Sequence, residues 1–211
     1  MHLILGVVLA GLIAAPANAQ TPPIFQPGAP GADARVITAR EAVGLSRTGF
    51  VKADVRFMRH MIVHHAQAVE MVELMPARAA SETVRRLGER IAQSQAAEMA
   101  LMEEWLVGRS QPVTVADPHA GHHGAAPDEP LMPGMLSPSQ MAALAAASGP
   151  AFDRLFLEGM IRHHQGALDM VDALLAHPDT AEDPLLSEFV SSVVADQSAE
   201  ILRMQSILSE L

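Results

Sequence analysis

Residues 54–75 read DVRFMRHMIVHHAQAVEMVELM, and residues 153–174 read DRLFLEGMIRHHQGALDMVDAL. Each stretch repeats apolar residues every three or four positions, the period of a helix with one buried face. Each also carries a His-His pair at its centre. Asp54, Phe57, Met61, Ile62, His64, His65, Ala68, Met71 and Val72 recur as Asp153, Phe156, Met160, Ile161, His163, His164, Ala167, Met170 and Val171, all at one offset. The segments that follow repeat too: Gln95, Glu98 and Met102 correspond to Gln197, Glu200 and Met204. The chain is therefore a duplicated helical hairpin, and two hairpins predict an all-α four-helix bundle.

Local punctuation sets the expected boundaries. One helix runs from about Lys52 to Met75 and stops at Pro76. Ser81 caps a second helix that ends at Gly108. Residues 109–150 form the linker, in which Ser137-Pro138-Ser139-Gln140 opens a short extra helix as a capping box. The second hairpin fills residues 151–211, with Asp183-Pro184 opening its last helix. Residues 51–211 thus form the bundle domain. Residues 20–50, rich in Pro and Gly at their start, read as a flexible leader with room for a short helix after residue 35. Residues 1–19 read as a signal peptide: an apolar run too short for a comfortable bilayer span, then Ala17-Asn18-Ala19 as a cleavage site. The n-region has His2 and no Lys or Arg, so an uncleaved anchor stands as the alternative. The expected location is periplasmic or otherwise extracytoplasmic, with no stable membrane insertion of the mature chain.

The composition narrows the chemistry. Of 211 residues 49% are hydrophobic but only 3% aromatic, so Leu, Ala, Val and Met must fill the core. A net charge of −10 argues against a nucleic-acid partner, which needs a basic patch. With no cysteine, disulfides, thiolate metal sites and cysteine nucleophiles are excluded. Ten His and thirteen Met remain as borderline and soft donors. Nothing resembles a nucleophile elbow or a catalytic triad.

A helical wheel places those donors. With Phe57 at zero, His64 falls at about 340°, Met61 at about 40° and Met71 at about 320°, on one buried stripe. His65 lies near its edge at about 80° and His60 at the other edge near 300°. Met160, His163 and Met170 repeat the stripe in the second copy, with His164 beside it and Gly159 in place of His60. Glu98 and Glu200 sit on or beside the apolar faces of the partner helices. Buried His, Gln and Glu are costly unless paired or bound. One reading makes them structural pairs, His64 and His163 each bonded to Glu98 or Glu200. The other makes Met and His ligands of a soft ion, for which imidazole with thioether suits Cu(I) or Ag(I). His119, His122 and His123 form a His-rich loop of the kind that holds metal loosely.

FMRHMIVHHAQAVEM and FLEGMIRHHQGALDM, each followed by Q-x-x-E-x-x-x-M, together with MPGMLSPSQMAAL between them, resemble the family called domain of unknown function 305. The resemblance covers about residues 50–208. It implies a ferritin-like bundle, usually exported, whose CopM-type members are periplasmic and bind copper and silver in metal resistance. Carried over by position, it implies Met61, His64, His65, Met71, Met160, His163, His164 and Met170 as candidate ligands, with Glu98, Met102, Glu200 and Met204 as weaker ones. His60 and the three loop histidines join the weaker set.

The expected function is binding of Cu(I), with silver as a mimic, for sequestration or for delivery to an exporter or chaperone. Two rivals stand. A di-iron or di-manganese oxidase needs Glu-x-x-His pairs, but Met61 and Met160 occupy the position three before His64 and His163. A plain scaffold without metal would not need the Met-His stripe in both copies.

Overall fold

The structure is a computed structural model that describes residues 23–28, 31–38, 41–42, 49–114 and 132–211. The expected signal peptide and His119, His122 and His123 lie outside these residues. The chain divides into two compact units, residues 1–46 and 47–211.

In the first unit, β1 (Ile24–Gln26) pairs antiparallel with β2 (Arg35–Ile37), Ile24 opposite Ile37. Arg35 Nε donates to Gln26 Oε1 at 2.7 Å across the pair. This hairpin was not expected in the leader, and β2 takes the start of the segment where a short helix was allowed for. Three-residue strands are too short to show a period of two.

In the second unit the long helices are α1 (Lys52–Glu73), α2 (Glu82–Gly108), α4 (Pro150–Leu175) and α5 (Pro184–Ser209), with the short α3 (Pro138–Ala146) in the central connection. The ends follow the expected capping chemistry. Ser81 accepts from the Val84 amide, and Ser137 exchanges hydrogen bonds with Gln140 as a full capping box. Asp183 accepts from the amides of Leu185 and Leu186. The same carboxylate takes the Trp105 indole N–H at 3.0 Å and pairs with Arg109, so the end of α2 is tied to the start of α5.

Two matched aspartates lock the hairpins together. Asp54, fully buried at the start of α1, accepts from the amide of Ala181 in the loop after α4. Asp153, at the start of α4, accepts from the amides of Ala80 and Ser81 in the loop after α1. Each histidine helix therefore begins where the other ends, and α1 and α4 run antiparallel.

That arrangement splits the core into two apolar halves. One gathers Met71, Leu87, Ile91, Phe152, Phe156, Met160 and Met204. The other gathers Phe57, Met58, Met61, Met102, Trp105, Val171, Phe189 and Val193. Between them the four helices carry buried His64, His65, Gln95, His163, His164 and Gln197. A fully buried Phe or Met stabilises by about 1.5–3 kcal/mol. An unpaired buried polar group costs about 1–3 kcal/mol. Two well-filled halves thus outweigh one polar layer.

Candidate metal centre

The layer is built from the middles of the helices, where side chains are held most rigidly. His64 and His163 face each other across the α1–α4 contact, ring centroids 3.9 Å apart and planes inclined by 40°. His65 and His164 flank them, 6.4 and 6.3 Å from their neighbours by centroid. All four imidazoles are fully buried. The wheel had put His65 and His164 at the stripe's edge. They are enclosed because α2 and α5 wrap the flanks of α1 and α4.

Every imidazole is anchored through Nε2. His64 Nε2–H donates to the Pro133 carbonyl at 2.9 Å, and His163 Nε2–H donates to the His64 carbonyl at 2.8 Å. His65 and His164 donate to Glu98 Oε2 and Glu200 Oε2, each at 2.6 Å. The carboxylates therefore serve the second histidine of each pair. The structural alternative had given them to His64 and His163, which use backbone carbonyls instead. A carbonyl only accepts, so His64 and His163 carry their proton on Nε2 and present a lone pair at Nδ1.

All four Nδ1 atoms are buried without a hydrogen-bond partner. Both side-chain polar atoms of Gln95 and the Oε1 of Gln197 share that condition. Burial pushes the His64 pKa from 6.5 down to about 3, and it also drives His163 well below its ordinary value. Both rings are neutral across the physiological range. A neutral imidazole whose far nitrogen is fixed by a carbonyl or carboxylate is the usual state of a metal-binding histidine.

The sulfurs divide between the halves. Met71, Met160 and Met204 lie in one, Met61 and Met102 in the other, and Met170 is half-buried against the second. Among the described residues no three His, Asp or Glu side chains are already gathered into a metal-holding group. His60 sits half-buried one turn before His64, outside the layer.

One part of the site was marked in the sequence only by the Met-rich start of MPGMLSPSQMAAL, with nothing to show what it contacts. The segment Met132-Pro133-Gly134-Met135 lies across the bundle as a strap. Gln67 clasps Leu136 through two hydrogen bonds of 2.9 and 2.7 Å. Gly134, with φ of 74°, meets Gly166 so closely that a Cβ on Gly166 would stand 2.0 Å from the Pro133 carbonyl oxygen. The strap thereby delivers that oxygen to His64. In the sequence, Met132 and Met135 marked the segment as a source of thioethers, and the close approach of Gly134 to Gly166 is seen only in the fold.

The described residues include no helix long and apolar enough to cross a membrane. The DUF305 family (domain of unknown function) matches residues 54–208. Among solved structures, a DUF305 fragment from Deinococcus radiodurans is similar, with 32% identity, TM-score 0.65, 77% of this chain and 99% of that one covered. So is a DUF305 protein from Streptomyces coelicolor described as a candidate secreted protein, with 34% identity, TM-score 0.60 and coverage of 75% and 93%. CopM in its Cu(I)-bound form shares 27% identity with TM-score 0.57, over 74% of this chain and 96% of that one. CopM has also been solved with Ag and with Cu(II). No curated protein matches the sequence.

Proposed function

The chain belongs to the DUF305 family, and from that premise we propose that it is an extracytoplasmic metal-binding protein whose cargo is Cu(I), with Ag(I) as the close mimic. One observation carries this reading: four buried imidazoles fixed through Nε2, each with an Nδ1 that no protein atom engages. A core without a ligand would gain from replacing such groups with apolar ones. Two of the four, His64 and His163, are held neutral, so a cation binds them without first displacing protons.

Met61, Met71 and Met160 are fully buried in the apolar halves on either side. Imidazole and thioether together favour a soft monovalent ion over Fe(II) or Mn(II), which supports binding rather than oxidase chemistry. The likeness to copper- and silver-bound CopM points to the same ions. Glu98 and Glu200 orient His65 and His164 in the way that outer carboxylates orient ligating histidines. Holding Cu(I) in this dry layer limits its redox chemistry, which suits sequestration or delivery to an exporter.

The test is an anaerobic Cu(I) titration in competition with a coloured chelator, with Fe(II) and Zn(II) alongside. His64→Ala with His163→Ala is expected to weaken Cu(I) binding at least tenfold while leaving the helical circular dichroism intact. Unchanged affinity would exclude the buried layer. Preferential Fe(II) uptake with oxygen-dependent colour would favour an oxidase instead.

A further inference from the structure

The two hairpins are related by a pseudo-two-fold axis, so each surface groove beside the axis has a counterpart. The central connection breaks that equivalence. It fills one groove: Leu136 and Met71 pack where Gly159 lacks a side chain, at 3.2–3.4 Å from its Cβ position. Arg78 Nε donates to the Ala145 carbonyl at 2.7 Å and pins α3 there. Phe152 is fully buried on the same side, and Leu74 packs against that half of the core.

The opposite groove is open, a cavity of about 230 Å³. Applying the repeat offset shows what the sequence has done to it. Ala53 stands where the filled side has Phe152, and Ala173 where it has Leu74. These two truncations create the volume. At the same time His60 stands where the filled side has Gly159, and His177 where it has Arg78. Met170, the counterpart of the fully buried Met71, is only half-buried against the core and lines the cavity with them. The copies thus diverge toward small side chains and imidazoles around a cavity that Arg56 and Asp169 also line.

We infer that His60, Met170 and His177 form a second, outer binding site for Cu(I), distinct from the buried layer. The donors come from two antiparallel segments: His60 from α1, and Met170 and His177 from the end of α4 and just past it. Two imidazoles with one thioether are a donor set for a soft monovalent ion. His60 and Met170 are half-buried and His177 exposed, so an ion reaches this site without opening the bundle. Pro133 forms another wall of the cavity, and its carbonyl holds His64. The outer site therefore adjoins the buried layer through one residue of the strap.

The experiment compares Cu(I) stoichiometry in the full chain, in His60→Ala with His177→Ala, and in His64→Ala with His163→Ala, by anaerobic chelator competition. The outer variant is expected to bind one equivalent fewer, with an unchanged thermal transition. Met170→Leu keeps the volume and removes the soft donor. It is expected to weaken that one equivalent at least tenfold. Full stoichiometry and affinity in both variants would overturn the outer site. The two readings separate cleanly: loss of an equivalent only in the buried-layer variant overturns the outer site alone, and loss only in the outer variants supports it while removing the buried layer. No uptake by the unaltered chain overturns both.

Discussion

The rings of His64 and His163 lie 3.9 Å apart at the contact between the two repeats, each fixed by a backbone carbonyl. Neither can take a second proton cheaply there. This gives the fold a defined response to acid. Above about pH 6.5 both rings are neutral in the folded and unfolded chain alike, and they contribute no pH dependence. Below it the unfolded chain gains protons that the folded chain refuses, since burial holds His64 down to about 3 and His163 well below its ordinary value. Stability should fall with pH by up to about 1.4 kcal/mol per unit for each of these histidines. Urea midpoints at pH 7.5 and 5.0 measure this. His64→Leu with His163→Leu should flatten the profile, and an equally steep profile in that variant would refute the assignment.

Gly166 tests the strap. A methyl group there would stand 2.0 Å from the Pro133 oxygen and 2.6 Å from the Gly134 Cα, so backbone must shift. Gly166→Ala should destabilise by about 1–3 kcal/mol, the usual scale of overpacking. It should also free His64 from its carbonyl, seen as a changed His64 ring signal in NMR. A variant with wild-type stability and an unmoved ring would contradict the observed contact.

Gln95 has neither side-chain polar atom paired, although it is almost fully buried. Gln95→Leu should raise stability in the metal-free protein by about 1–3 kcal/mol, because an unpaired buried amide is removed. Chemical denaturation without metal decides it. A loss of stability would mean that the amide is engaged in the free protein.

Asp54 and Asp153 should act as independent clasps. Asp54→Ala removes the acceptor for Ala181, and Asp153→Ala removes that for Ala80 and Ser81. Each is expected to cost about 1.5–3 kcal/mol, the range for hydrogen bonds to a charged group. They sit at opposite ends of the bundle, so the double variant should show the sum within about 0.5 kcal/mol. A large coupling energy would show that the two ends communicate.

Much of this was legible in the sequence, for identifiable reasons. The repeat of Asp54 through Val72 and the helical period announced the bundle, and Ser81, Ser137 and Asp183 announced three helix starts, because capping is local chemistry. The central place of His64 and His163 followed from a single-helix wheel. The burial of His65 and His164 did not, because a wheel gives directions around one helix and not how far its neighbours wrap. For the same reason Glu98 and Glu200 were offered to the wrong member of each pair. The Pro133 carbonyl was invisible, since a backbone acceptor has no residue type. His177 carries no motif, and only its departure from Arg78 in the other copy marks it.

The division of the core into two apolar halves reaches back to how such a chain arises. Each half takes the start of one histidine helix and the end of the other, so neither hairpin encloses a core by itself. A lone hairpin would leave half of each cluster without its partner face, and the His64–His163 contact is where the two repeats meet. The present chain carries both copies in one polypeptide. Two copies in one chain need not be identical, and here one face is strapped shut while the other is left open.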